Sequence, residues 1–179
     1  LAAGDTLGVF YVESPAMRQL QKKTRVGDYE HLVIHSSIIR PAANDFINDY
    51  IRRLKGEPWT PLLPELGEIL AETYGIMVYQ EDISKVAVRV GGFSVGEGEE
   101  LRKVVGNPRK EKRKRELQAK LLENLARRGI PEDIRAKLWA MIESFSGYSF
   151  CKPHSASYAQ LSFKACWLKV HHPAEFHDA

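Results

Sequence analysis

The residues best suited to bind an anion lie in the segment 147–154, which has the sequence GYSFCKPH. It is a glycine-containing loop followed by a proline that can stand in the first turn of a helix. Backbone N–H groups at a helix N-terminus bind negative charge, and Lys152 and His154 would assist them. This pattern fits a phosphate site, and it fits an ordinary capped core helix equally well.

A second pair of basic residues, Arg102 and Lys103, lies near the end of a predicted helix that closes at Gly106. The two side chains could bind the same ligand as the 147–154 segment if the fold brings them together. The sequence alone does not establish that they meet.

Positive charge is concentrated in residues 101–128, which hold eleven Lys or Arg against three Glu. Clustered cations of this kind bind nucleic-acid backbones, because phosphate contacts release counterions. A solvent-exposed helix face is the alternative, and no aromatic residues are interleaved as platforms for single strands require. The candidate contacts to a DNA backbone are Arg109, Lys110, Lys112, Arg113, Lys114 and Arg115.

Metal and nucleophile patterns are weak in this sequence. His31 and His35 have the spacing of two ligands on one helix face, but Leu32 stands where a metalloprotease helix has Glu. Cys151 and His154 are three residues apart near a helix start, which is not how hydrolase dyads are usually built. We therefore predict no metal site and no catalytic residue in this chain.

The elements that must position these groups are helices. Ser14, Asp28 and Ser94 are suited to cap helix starts, and Gly56 and Gly129 to end helices. The pattern predicts a mainly α chain of about eight or nine helices. Residues 76–79 are the one candidate for a short strand, and they could equally open the helix that follows them. The last helix is expected from about residue 153 to 171, with an apolar stripe that would be buried: Ala156, Ala159, Phe163, Cys166 or Trp167, and Val170.

Length and composition limit the class of protein. The chain has 179 residues, of which 44% are hydrophobic and 27% charged, as in an ordinary globular protein. We expect one domain over residues 1–179, with 1–92 and 93–179 as candidate sub-lobes. Two cysteines and no long apolar stretch indicate a reduced, cytosolic protein without a membrane span. Because the chain starts without Met, we expect it to be a piece of a longer polypeptide.

Several blocks of the sequence resemble one family. They are residues 8–14 (GVFYVES), 72–81 (ETYGIMVYQE), 101–103 (LRK), 147–154 (GYSFCKPH), 167–169 (WLK) and 172–176 (HPAEF). In type and order these blocks are similar to the bacterial C-family DNA polymerases, which comprise the α subunits of DNA polymerase III and their error-prone relatives. The part covered is similar to the largely helical fingers domain of that family.

The resemblance implies a role in binding the incoming deoxynucleoside triphosphate (dNTP). Arg102 and Lys103 would contact the triphosphate, and the nucleotide pocket would contain Tyr148, Cys151, Lys152 and His154. Tyr148 would pack near the base or sugar. Many relatives have Arg where this chain has Lys103, and replicative members commonly have Asn where it has Cys151.

The resemblance also implies partners that are not in this chain. Palm carboxylates, which nothing in this sequence matches, would hold Mg²⁺, so we expect the isolated chain to be inactive. The expected partners are dNTP, primer–template DNA, the palm domain of the same polypeptide, and replisome or damage-response proteins in the bacterial cytoplasm. The segments 40–43 (RPAA) and 151–153 (CKP) look more like the error-prone branch. The alternatives are a helical nucleic-acid-binding module and an interaction scaffold, both without a nucleotide pocket.

Overall fold

The structure, a computed structural model, describes residues 1–146 and 150–178. Within these ranges the chain forms ten α-helices and two short 3₁₀ turns, with no strand. The α-helices are α1 (Pro15–Thr24), α2 (Tyr29–Ile38), α3 (Asn44–Leu54), α4 (Pro64–Ile69), α5 (Gln80–Arg89), α6 (Val95–Val105), α7 (Glu111–Arg127), α8 (Glu132–Glu143), α9 (Lys152–His171) and α10 (Pro173–Asp178). The mainly α prediction is confirmed, and α10 is the helix that the sequence pattern did not predict.

The predicted helix starts at Ser14, Asp28 and Ser94 are confirmed by their hydrogen bonds. The Ser14 hydroxyl accepts from the N–H of Met17 at 3.3 Å, and the Asp28 carboxylate accepts from that of His31 at 3.0 Å. The Ser94 hydroxyl accepts from the N–H of Glu97 at 3.3 Å, and the Glu97 carboxylate accepts from the N–H of Ser94 at 3.1 Å. These side chains bind N–H groups that lack a partner within the helix, so each helix begins where its cap stands.

Residues 76–79 are buried, but they form neither a strand nor the first turn of α5. Side chains bind their backbone groups instead of a neighbouring strand. The Asp82 carboxylate accepts from the N–H groups of Val78 and Tyr79 at 3.0 and 2.9 Å. The Arg40 guanidinium donates to the carbonyls of Met77 and Val78 at 3.2 and 2.9 Å.

The chain divides into two compact units. Unit 1 consists of Leu1–Ile39 and Cys151–Ala179, and unit 2 is the continuous segment Arg40–Phe150. Whether the 179 residues act as one domain, and whether 1–92 and 93–179 form sub-lobes, remain predictions of the sequence.

Unit 2 has its core between α5, α6, α7 and α8, where the buried side chains include Val86, Leu101, Leu121 and Leu138. Gly98 allows α6 to approach α5 closely. A methyl group at this position would lie 2.9 Å from Val88 Cγ2 and 3.1 Å from the Ser84 carbonyl oxygen. This close approach brings the next turn of α6, which carries Arg102, beside the start of α5.

Unit 1 is built around α2 and α9. The buried side of α9 is formed by small residues at three- and four-residue spacing: Ser155, Ala159, Ser162 and Cys166. The Ser37 hydroxyl donates to that of Ser155 at 2.6 Å, and the Ser162 hydroxyl donates to the Phe10 carbonyl at 2.8 Å. Small side chains permit this close packing of helices.

The predicted buried stripe of α9 was therefore only partly correct. Ala159 and Cys166 are buried as expected, but Phe163, Trp167 and Val170 are exposed to 39%, 52% and 68%. Hydrophobicity favoured the large side chains, whereas the packing of α2 on α9 selects the small ones. No helix in the described part of the chain is both long enough and apolar enough to span a bilayer.

Candidate functional site

Arg102 is held on two sides within unit 2. Its Nε and Nη2 both bond to the Glu99 carboxylate oxygen Oε2, at 3.0 and 2.9 Å. Its Nη1 donates to the side-chain oxygen of Gln80 at 3.0 Å. The side chain is 25% exposed, so the guanidinium is oriented by its partners while part of it remains accessible.

Gln80 is the first residue of α5 and also contacts the segment that leads to Cys151. The first N–H groups of a helix have no partner within the helix. The Gln80 N–H donates to the Phe150 carbonyl at 3.1 Å. One residue therefore binds Arg102 through its side chain and Phe150 through its backbone.

Arg40 contacts Ser144 and Phe145 within the same unit. It is buried, its Nη2 lies 3.2 Å from the Ser144 hydroxyl, and its guanidinium lies 3.8 Å from the centre of the Phe145 ring. Burial lowers the pKa of Arg40 to about 10, with the Asp82 charge acting in the opposite direction, so Arg40 is charged at neutral pH. Arg40 and Gln80 thus hold the residues on either side of 147–149. Tyr148, a predicted pocket residue, lies outside the described residues.

The other predicted pocket residues stand at the start of α9 in unit 1. Cys151 occupies the N-cap position and is half-buried, and Lys152 and His154 are exposed in the first turn. In unit 2, Lys103 is exposed one residue beyond Arg102. That these side chains converge on one ligand remains a prediction.

The six candidate DNA contacts fall into two classes. Arg113 bonds to Glu100 through two contacts of 2.8 Å and to Glu116 at 2.9 Å. Lys114 and Arg115 both pair with Glu111, at 2.9 and 3.3 Å. The remaining three are exposed, and their side chains form no ion pair with any described residue: Arg109, Lys110 and Lys112.

The described ranges contain no group of three His, Cys, Asp or Glu side chains that could hold a metal ion. The His31 ring nitrogen Nδ1 lies 2.7 Å from the Asp28 carboxylate, and His35 is buried. Burial lowers the pKa of His35 to about 4.

A model of the bacterial DNA polymerase III alpha subunit finger domain matches residues 1–129. The chain belongs to this finger-domain family. The DNA polymerase III subunit alpha of Neisseria meningitidis is 38% identical over 96% of this chain, and that of Aquifex aeolicus is 39% identical over 98%.

A relative named error-prone DNA polymerase, from Teredinibacter turnerae, is 34% identical over the full length of this chain. Because relatives with both names match, the assignment to the error-prone branch remains a prediction. The chain spans only about 15% of the length of the first two relatives and 18% of the third.

Sequence reasoning missed two residues of the finger domain, Gln80 and Glu99. Glu99 stands three residues before Arg102, a spacing at which opposite charges pair on a helix, so this contact could have been predicted. Gln80 lies within the 72–81 block that carried the resemblance, but its contacts with Arg102 and Phe150 depend on the tertiary fold.

Proposed function

We propose that this finger domain binds the incoming dNTP and helps to position primer–template DNA in a full-length DNA polymerase. One observation carries the proposal. Within unit 2, Gln80 binds both Arg102 and the carbonyl of Phe150, a residue of the 147–154 block. The family to which the chain belongs supports the same function.

The reaction served would be attack of the primer 3′-hydroxyl on the α-phosphate of the dNTP, with release of pyrophosphate. The contribution proposed for this chain is to orient the triphosphate and stabilise its negative charge through Arg102, Lys103, Lys152 and His154. Cys151 and Tyr148 are proposed to line the pocket. Catalytic carboxylates and their Mg²⁺ would belong to the palm.

The basic segment is proposed to contact the DNA backbone. Arg109, Lys110 and Lys112 are exposed and form no ion pair within the described residues, so their charge is available to phosphates. Arg113, Lys114 and Arg115 must first release glutamates of the same domain. We expect the first three to supply most of the electrostatic contribution to DNA affinity.

Steady-state kinetics of Arg102→Ala test the nucleotide site in a polymerase that joins this finger domain to its palm. Hydrogen bonds to charged groups contribute about 1.5–3 kcal/mol, so the KM for dNTP should rise by about 10- to 100-fold. DNA affinity should change little. Arg113→Ala is the matched control, because it removes an arginine of the same unit that pairs with Glu100, and it should leave the dNTP KM nearly unchanged.

Unchanged incorporation kinetics in Arg102→Ala would overturn the proposed site. The exposed cations of the basic segment would then favour the alternative function, a helical nucleic-acid-binding module without a nucleotide pocket. That module would lose DNA affinity, and not nucleotide affinity, when Arg109, Lys110 and Lys112 are replaced together.

A further inference from the structure

The two partners of Arg102 differ in charge, and this difference bears on how a triphosphate would be bound. Glu99 occupies the guanidinium edge formed by Nε and Nη2, one of the two edges from which a guanidinium can donate two parallel hydrogen bonds to a phosphate. Gln80 binds the remaining nitrogen, Nη1, through a neutral amide oxygen. A phosphate that binds the Nε–Nη2 edge competes directly with Glu99 and leaves the contact with Gln80 in place.

Glu99 is suited to be displaced. Its side chain is 41% exposed, and exposed ion pairs contribute little net stability because water solvates both charges. The hydrogen bond from Arg102 lowers the pKa of Glu99, so it is a carboxylate at neutral pH. A carboxylate that stayed in place would repel the incoming phosphates.

Gln80 is suited to remain. It is neutral, so it does not repel a phosphate. Its backbone is fixed as the first residue of α5 by the hydrogen bond to Phe150, and the preceding residues are held by Asp82. Gln80 can therefore keep Arg102 oriented when the contact with Glu99 is released.

We propose that Arg102 exchanges Glu99 for a phosphate of the nucleotide while Gln80 retains its hydrogen bond to Nη1. Gln80 is then a positioning residue that acts through Arg102, and Glu99 is a competitor that occupies Arg102 before the nucleotide binds. This inference rests on the proposed function of Arg102. It assigns opposite effects to the two partners of one side chain.

The role proposed for Glu99 is tested by steady-state dNTP kinetics in the polymerase that joins this domain to its palm, at fixed ionic strength and saturating DNA. Glu99→Gln removes the competing charge, and because an exposed ion pair is weak, the KM for dNTP should fall by about two- to fivefold. Glu100→Gln is the matched control. It removes a neighbouring carboxylate from the same helix, but that carboxylate pairs with Arg113.

The control should leave the dNTP KM within twofold of that of the unchanged protein. An equal fall in both variants would show a general effect of helix charge and would overturn the exchange. A rise in KM in Glu99→Gln would show that Glu99 positions Arg102, which would overturn it as well.

The positioning role proposed for Gln80 is tested by a double-mutant cycle. Gln80→Met keeps the length of the side chain and removes the oxygen acceptor, so the dNTP KM should rise by about 3- to 10-fold. In the Arg102→Ala background the same substitution should have almost no further effect, because Gln80 acts through Arg102. Additive effects in the double variant, or no effect of Gln80→Met alone, would overturn the positioning role.

Failure of this inference can be separated from failure of the proposed function. If Arg102→Ala leaves the kinetics unchanged, the nucleotide site itself is wrong. If Arg102→Ala raises the KM but Glu99→Gln does not lower it, the site stands and the exchange is wrong. Circular dichroism of each variant checks the helical fold. If Gln80→Met does not fold, Glu99→Gln still tests the exchange, because Glu99 is exposed.

Discussion

Two cationic regions of unit 2 show how differently the same residue type can be used. The first region is Arg102 of α6, a single guanidinium that is 25% exposed and is held by Glu99 and by Gln80 at the start of α5. The second region is the segment 109–115, which contains six cations. Two of them, Arg113 and Arg115, are 46% and 75% exposed and form ion pairs with exposed glutamates of unit 2. A high density of charge therefore does not make a binding site by itself. Orientation and availability of the charge decide what it can bind.

The largest effect is expected at Arg40, the cation that is most completely buried. Arg40→Met leaves the carbonyls of Met77 and Val78 and the Ser144 hydroxyl without this donor. Buried acceptors without partners cost about 1–3 kcal/mol each, and at the lower end of that range the three together lower the free energy of unfolding by about 3 kcal/mol. The melting temperature should fall by about 6–12 °C. Thermal unfolding followed by circular dichroism measures this, with Lys110→Met as an exposed control expected to shift by less than about 2 °C.

The second prediction separates orientation from charge. Lysine keeps the positive charge of arginine but loses its planar fork, so Arg102→Lys should raise the dNTP KM by about 5- to 10-fold. Arg113→Lys should change the KM by less than about twofold, since its pairing with Glu100 is on the exposed surface. Single-nucleotide incorporation measures both KM values. An equal rise in the dNTP KM in the two variants would show that Arg102 and Arg113 do not differ in how they act on the nucleotide.

The smallest effect is expected within the basic segment. A plot of the logarithm of DNA affinity against the logarithm of salt concentration has a negative slope, to which each phosphate contact contributes about 0.9. Replacing Lys110 and Lys112 together by Gln should reduce the magnitude of this slope by about two. Replacing Arg113 and Arg115 together by Gln should reduce its magnitude by less than about one, because their glutamate partners already neutralise them. Fluorescence anisotropy of a labelled primer–template over a series of salt concentrations measures both slopes. A larger loss from the second pair would show that DNA displaces the glutamates.

The parts of this fold that were predictable from sequence are those decided by neighbouring residues. Ser14, Asp28 and Ser94 cap helices through contacts three residues away, so their positions in the sequence were sufficient. The buried side of α9 was not predictable in the same way. Apolar residues lie on several of its sides, and only the contact with α2 distinguishes the small buried residues from Trp167 and Val170.

The candidate site shows the same limit. The resemblance pointed to Arg102, and local spacing could have pointed to Glu99, but Gln80 is 22 residues from Arg102. The burial of Arg40 also depends on distant residues, since its partners lie 37, 38 and 104 residues away along the chain. Partners of this kind depend on how helices pack, which local patterns do not contain.

The discontinuous sequence of unit 1 has a consequence for the order in which the protein folds. Its parts are Leu1–Ile39 and Cys151–Ala179, whereas Arg40–Phe150 is continuous. The bond between Ser37 and Ser155 closes over 118 residues. Because a ribosome delivers the chain from its N-terminus, all of unit 2 emerges before α9 can pair with α2. We therefore expect α1 and α2 to lack their partner helix α9 while unit 2 is being synthesised, and unit 1 to assemble after unit 2.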